Sequence, residues 1–149
     1  MSLAQAFAKG NGRRTKHAGE TIHSLLRLDV APGDRLTVTR VAASRRRAQA
    51  IKLAVDRGDV RANGVVVPSI AIWSHTAPEQ AELQIVGKRA RSIDLWNAWS
   101  FQGVVSEWLG NAGMIVEDDG AAKLLRCSDG LGEPSFDDLV VRVEVHHGR

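Results

Sequence analysis

The stretch Ile93-Asp94-Leu95-Trp96-Asn97-Ala98-Trp99 sets Ile93, Leu95, Asn97 and Trp99 on one side of an extended chain and Asp94, Trp96 and Ala98 on the other. Successive side chains of a strand point to opposite faces, so this alternation predicts a strand with distinct inner and outer faces. Similar short runs recur at 104–109, 114–116, 124–127 and 139–145, divided by Gln102-Gly103, Gly110-Asn111-Ala112-Gly113 and Asp118-Asp119-Gly120. Upstream, Leu36 and Val38 alternate with Thr37 and Thr39, and Leu83 and Ile85 with Glu82 and Gln84. Val65-Val66-Val67 and Ile70-Ala71-Ile72-Trp73 flank Pro68, which lacks an N–H and so marks a sheet edge or a bulge. Asn63-Gly64 accepts the positive φ of a type I′ hairpin turn, and Pro32-Gly33-Asp34 is a second turn. About eight short strands spaced near ten residues apart predict a mainly β fold, an antiparallel β-sandwich or distorted barrel.

One segment breaks the pattern. Ser44 is a good N-cap, Gly58 a stop, and Ala48, Ile51, Ala54 and Val55 share one helical face, which predicts one α-helix over about 44–57. Arg45, Arg46 and Arg47 then oppose the helix dipole in its first turn. Residues 1–21, rich in Ala, Gly, Lys and Arg, read as a flexible basic N-terminal arm, and 22–147 as a single mainly-β domain.

The net charge of +3 conceals a division. Residues 1–91 hold 16 Lys/Arg against 7 Asp/Glu, and residues 92–149 hold 4 against 10. Such halves either present a basic face to nucleic acid or attract each other, within the chain or across a dimer. The single cysteine, Cys127, excludes an intrachain disulfide. No apolar run reaches the roughly 18 residues of a membrane span, and no signal-peptide core follows the N-terminal basic residues, so the cytoplasm is the expected location.

Three constellations are candidates for function. The first is Ser44-Arg45 with Ala48, Ile51, Gly58, Val60, Asn63, Gly64 and Pro68, which resembles the S4 RNA-binding module; Arg27-Leu28-Asp29 is similar to that family's opening tripeptide. The resemblance implies that Arg45, Arg46, Arg47 and Lys52 lie on an RNA backbone, where basic side chains supply affinity without sequence choice. This chain departs from it between the tripeptide and Ser44, where a turn and a strand-like run replace a helix.

The second is the loop Cys127-Ser128-Asp129-Gly130-Leu131-Gly132-Glu133-Pro134-Ser135-Phe136-Asp137-Asp138. Asp129, Glu133, Asp137 and Asp138 are candidate oxygen ligands for calcium, in a loop that the glycines let turn tightly. Its spacing is not that of an EF-hand, and Asp side chains also cap turns through their own backbone. The stretch 132–141 resembles a short acidic strand-entry motif of extracellular bacterial β-sandwich domains, with Glu133 and Ser135 where Asp is expected. No cofactor is otherwise implied.

The third is the set Trp96, Asn97, Trp99, Trp108 and Asn111, suited to stacking on a sugar or base and hydrogen bonding at its edge. Trp96 and Trp99 fall on opposite faces of one strand, so one is core and the other outward. No His-x-x-x-His, Gly-x-Ser-x-Gly, Walker or Rossmann spacing occurs. The expectation is therefore a non-enzymatic binding or interaction module that self-associates, with a homodimer as the expected state. An S4-like RNA-binding module is the alternative, and a small-molecule or sugar-acting enzyme using the loop carboxylates is a third.

Overall fold

The computed structural model describes residues 1–148. A short helix, α1 (Leu3–Lys9), opens the chain, followed by β1 (Arg14–His17), β2 (Glu20–His23), β3 (Leu26–Asp29), β4 (Arg35–Ala43) and β5 (Ala48–Asp56). Next come β6 (Asp59–Ala62), β7 (Val65–Val67), β8 (Ser69–Trp73), β9 (Gln80–Val86) and β10 (Ser92–Phe101). The last four are β11 (Val104–Ser106), β12 (Gly113–Asp119), β13 (Ala122–Ser128) and β14 (Leu139–His146).

Nine strands form one sheet in the order β1-β2-β12-β13-β14-β4-β9-β6-β7, and a second runs β11-β10-β5-β8 with β3 also on β10. Every pairing is antiparallel. The arrangement is sandwich-like, as the alternation requires. Leu36, Val38, Leu83, Ile85, Leu125 and Val143 of the larger sheet share one core with Ile51, Leu53, Ile93 and Leu95 of the smaller. Each such fully buried side chain contributes about 1.5–3 kcal/mol. Fourteen strands replace the expected eight because β1, β2, β3 and β6 are only four residues long and β5 stands where the helix was expected. Asn63 (φ 49°) and Gly64 (φ 77°) form the predicted turn between β6 and β7. Pro68 carries the chain from the edge of one sheet to the edge of the other.

The helix expected over 44–57 is strand β5. Its residues fit both periods: Ala48, Ile51, Ala54 and Val55 for a helix, and Gln49, Ile51, Leu53 and Val55 for a strand. The second set is the one buried. β5 lies between β10, which it pairs along its whole length, and β8. That pairing overrides the helix propensity of Ala, Leu, Lys and Gln. Ser44 is no helix cap; its Oγ accepts from Arg46 N at 3.2 Å in a local turn. The helix that the S4-like resemblance places here does not form.

Residues 1–21, expected as an arm, hold α1, β1 and the start of β2. Ser2 and Gln5 form a reciprocal capping box, and Leu3 and Phe7, one turn apart, are buried with Ile22. The helix start is tied to the body: Leu3 N donates to Asn111 Oδ1 at 3.1 Å and Ala4 N to Gly110 O at 2.9 Å. These bonds satisfy N–H groups that a helix start leaves open.

Candidate functional site

The basic segment before β5 and the acidic loop after β13 meet each other. Arg47 Nε donates to Asp129 Oδ2 at 2.9 Å and Arg47 Nη2 to Asp129 Oδ1 at 3.3 Å. Gln49 Nε2 adds a bond to Oδ2 at 2.9 Å, and Leu131 N one to Oδ1 at 3.1 Å. Asp129 is wholly buried, and four donors saturate its two oxygens. The bond to Asp129 holds the Arg47 guanidinium above its ordinary pKa. A reversed Gln49 amide would set two oxygens against each other. In the orientation adopted, Gln49 Oε1 is buried with no partner among the described residues.

Asp138 closes the loop from its other end. Its Oδ2 accepts from Asp129 N at 2.9 Å, its carbonyl accepts from Ser44 N at 2.8 Å, and Arg46 stands 3.8 Å from Oδ1. Burial pushes the Asp138 carboxyl above the usual range; the charge of Asp129 adds to this, while the Asp129 N–H, Arg46 and Arg47 oppose it. Ser128 Oγ accepts from Ser135 N at 3.1 Å, and Asn97 Nδ2 donates to Ser128 O at 2.9 Å. Asn111 Nδ2 donates to Gly132 O at 2.8 Å.

Two glycines let this loop lie close to its neighbours. A Cβ on Gly130 would sit 2.5 Å from both Leu109 O and the Trp99 ring, and one on Gly110 (φ 55°) would sit 2.2 Å from Gly130 O.

The four loop carboxylates therefore do not converge. Asp129 and Asp138 are turned inward, Asp137 pairs with Arg126 at 2.9 Å, and Glu133 is exposed. Among the described residues no group of three His, Cys, Asp or Glu side chains is arranged to hold a metal ion. The basic set is divided as well: Arg47 is held by Asp129 and Lys52 by Glu107 at 2.8 Å, leaving Arg45 and Arg46 exposed. Of the opposed charges noted in the sequence, Arg27 with Asp94, Arg46 with Asp138, Arg47 with Asp129 and Lys52 with Glu107 pair between the halves of one chain. Cys127 is buried in the core, where burial pushes its thiol pKa up.

The tryptophans separate as their faces require. Trp99 and Asn97 point inward and are buried, and Asn111 is spent on the loop and α1. Trp96 points outward and stacks on Trp108, ring centroids 5.2 Å apart and planes at 23°. Glu107 fastens the pair, accepting from Trp96 Nε1 at 2.6 Å on one oxygen and from Lys52 Nζ on the other. Trp108 is 47% exposed and has φ 55°, a left-handed backbone that bulky residues seldom adopt. Its indole N–H donates to Ser24 O at 2.8 Å.

On one side Trp108 walls a cleft of about 330 Å³ with Phe7, Leu25, Arg13 and Arg27. On the other, Trp96 borders a hollow of about 250 Å³ over Lys52, Ser69 and Ala71. Of the five predicted ligand residues, only Trp96 and Trp108 come together on the surface. Sequence reasoning missed Glu107 and the cleft residues Phe7 and Leu25. The one available signal was the apolar spacing of Leu3 and Phe7 behind Ser2. Comparison with family models, curated proteins and solved structures finds no match to this chain.

Proposed function

We propose that this protein is a non-catalytic binding module that takes a small ligand with a flat or apolar face on the ledge formed by Trp96 and Trp108. The observation that carries the reading is the state of Trp108. It is half-exposed, it occupies a left-handed backbone conformation that costs about 1–3 kcal/mol, and it is nonetheless held by a stack and a hydrogen bond. A side chain with only a folding role gains little from such an arrangement at the surface. The ledge stands beside a cleft whose volume lies within the roughly 300–1,000 Å³ of small-molecule sites. Asn11, Arg13 and Arg27 line that cleft and supply polar groups, as a sugar ring or a base requires.

Titration of the protein with a panel of mono- and oligosaccharides and nucleosides, read by tryptophan fluorescence, tests this. A saturable change in emission that disappears in Trp108→Ala supports the ledge. No response to any member at millimolar concentration, or an unchanged response in Trp108→Ala, contradicts it.

Self-association is a second reading, favoured by the hairpin of β10 and β11. Phe101 and Val104, paired across it on one face, are 44% and 62% exposed, and Val105 on the other face is 50% exposed, apolar surface of the kind that marks interaction sites. A dimer in light scattering that Val104→Asp dissociates supports it, and a monomer at micromolar concentration contradicts it. RNA binding through residues 45–52 has weaker support, since three of its four cations already have acidic partners.

A further inference from the structure

The outer face of the nine-stranded sheet carries a second arrangement, independent of the ledge. Strand register sets His146 opposite Arg35, Arg35 opposite Gln84, and Gln84 opposite Arg61, one straight row across β14, β4, β9 and β6. Adjacent strands are about 4.8 Å apart, so the two arginines start about 10 Å apart with Gln84 between them. The neighbouring row holds Thr37 opposite Glu82. These residues border a groove of about 590 Å³.

The two arginines of this groove lack the carboxylate partners that several other arginines have. Arg27, Arg47, Arg91, Arg126 and Arg142 each donate to a carboxylate. Arg35 has no carboxylate partner among the described residues, and Arg61 donates to the neutral Gln84 Oε1 at 2.9 Å. Of the two acids in the neighbouring row, Glu144, opposite Thr37, pairs with Arg142 at 2.9 Å, and Glu82 accepts from Thr37 Oγ1 at 3.0 and 3.1 Å; Thr37 Oγ1 lies 3.0 Å from His146 Nε2. The groove thus presents two guanidinium forks free to meet an oxyanion. One step away stands a carboxylate with lone pairs left to accept from hydroxyl groups.

We propose that this groove binds a phosphorylated small molecule bearing hydroxyl groups. The phosphate lies between Arg35 and Arg61, above Gln84, and the hydroxyls donate to Glu82. The guanidinium fork matches phosphate geometry, and the groove volume suits a ligand of that size. Glu82 disfavours a ligand that offers negative charge alone.

The test uses the full chain, nitrogen-15 labelled, titrated with glucose 6-phosphate, glucose and inorganic phosphate and followed by amide shifts. Glucose 6-phosphate is expected to move the signals of Arg35, Arg61, Gln84 and His146, inorganic phosphate to bind there more weakly, and glucose not at all. Arg35→Gln with Arg61→Gln, both at exposed positions, is expected to keep the fold and weaken glucose 6-phosphate by at least about tenfold, through loss of charge-assisted hydrogen bonds. Three outcomes overturn the proposal: no shift in this row with any probe, unchanged affinity in the double variant, or inorganic phosphate binding as tightly as glucose 6-phosphate.

Discussion

Arg47 and Asp129, 82 residues apart in sequence, are joined by two hydrogen bonds beneath the surface. That pair unites the basic and acidic segments, which read in isolation as a nucleic-acid site and a metal site. A buried carboxylate must be paired and hydrogen-bonded to be tolerated, and Asp129 is both. The two segments therefore act on each other.

The closeness of the acidic loop to its surroundings makes two glycines sensitive. Gly130→Ala and Gly110→Ala each force a methyl group against backbone oxygen, and Gly130→Ala also against the Trp99 ring. Each is expected to destabilise by about 1–3 kcal/mol, readable as a lower urea midpoint. Gly120→Ala, whose Cβ meets nothing within 4 Å, pays only for its positive φ and is expected to lose less. Equal midpoints for all three variants would contradict the close approach.

The Trp96 and Trp108 rings are near enough to couple optically. Far-ultraviolet circular dichroism is expected to show a tryptophan exciton couplet that vanishes in Trp96→Phe and in Trp108→Phe alike, and survives Trp73→Phe. A couplet unaffected by either of the first two substitutions would contradict the stack.

Two aspartates are expected to tilt the pH profile of stability in opposite directions. Burial of Asp34 resists ionisation, but donation from Gly148 N, Ala31 N and His147 outweighs it and holds the carboxyl below the usual range. A lowered folded-state pKa gives stability that is present above the unfolded value of about 4 and is lost as pH falls through the folded value. Asp138 is raised, so its contribution is present below about 4 and is lost as pH rises through its folded value. In urea unfolding across pH, Asp34→Asn should flatten the acid-side fall, whereas Asp138→Asn should gain on wild type as pH rises. The same slope change in both variants would contradict these assignments.

Cys127 sits in the core between Met114 and Leu139 in strand register, with its thiol held protonated by burial. Thiol reagents are expected to leave it unmodified at neutral pH in the native state and to label it fully in denaturant. Rapid labelling of the folded protein would show that the β13 strand opens.

Much of the sheet architecture was legible in the sequence. Alternation set Ile93, Leu95, Asn97 and Trp99 on one face and Trp96 on the other, and the first face is the buried one. The Asn-Gly and Gln-Gly turns fall where φ is positive, at Asn63 and Gly64 and at Gln102 and Gly103. β5 was not legible, because Ile51 and Val55 belong to both periods and the deciding partners, β8 and β10, lie far along the chain. The N-terminal segment misled for a related reason: Leu3 and Phe7 are too few to specify a core alone, and Asn111 and Ile22 complete their site. The sign of each half's charge was visible in the sequence. Which cation meets which carboxylate was set by the packing of the two sheets.

The most direct test of the account is a double-mutant cycle with Arg47→Met and Asp129→Leu, read by urea unfolding. Arg47→Met leaves the buried Asp129 without its cation and is expected to cost about 3–5 kcal/mol, and Asp129→Leu, which leaves the half-buried Arg47 unpaired, less. The double variant is expected to cost less than the sum by more than about 1 kcal/mol, since neither charge then remains. Additivity within about 0.5 kcal/mol would show that the two segments are not locked through this pair.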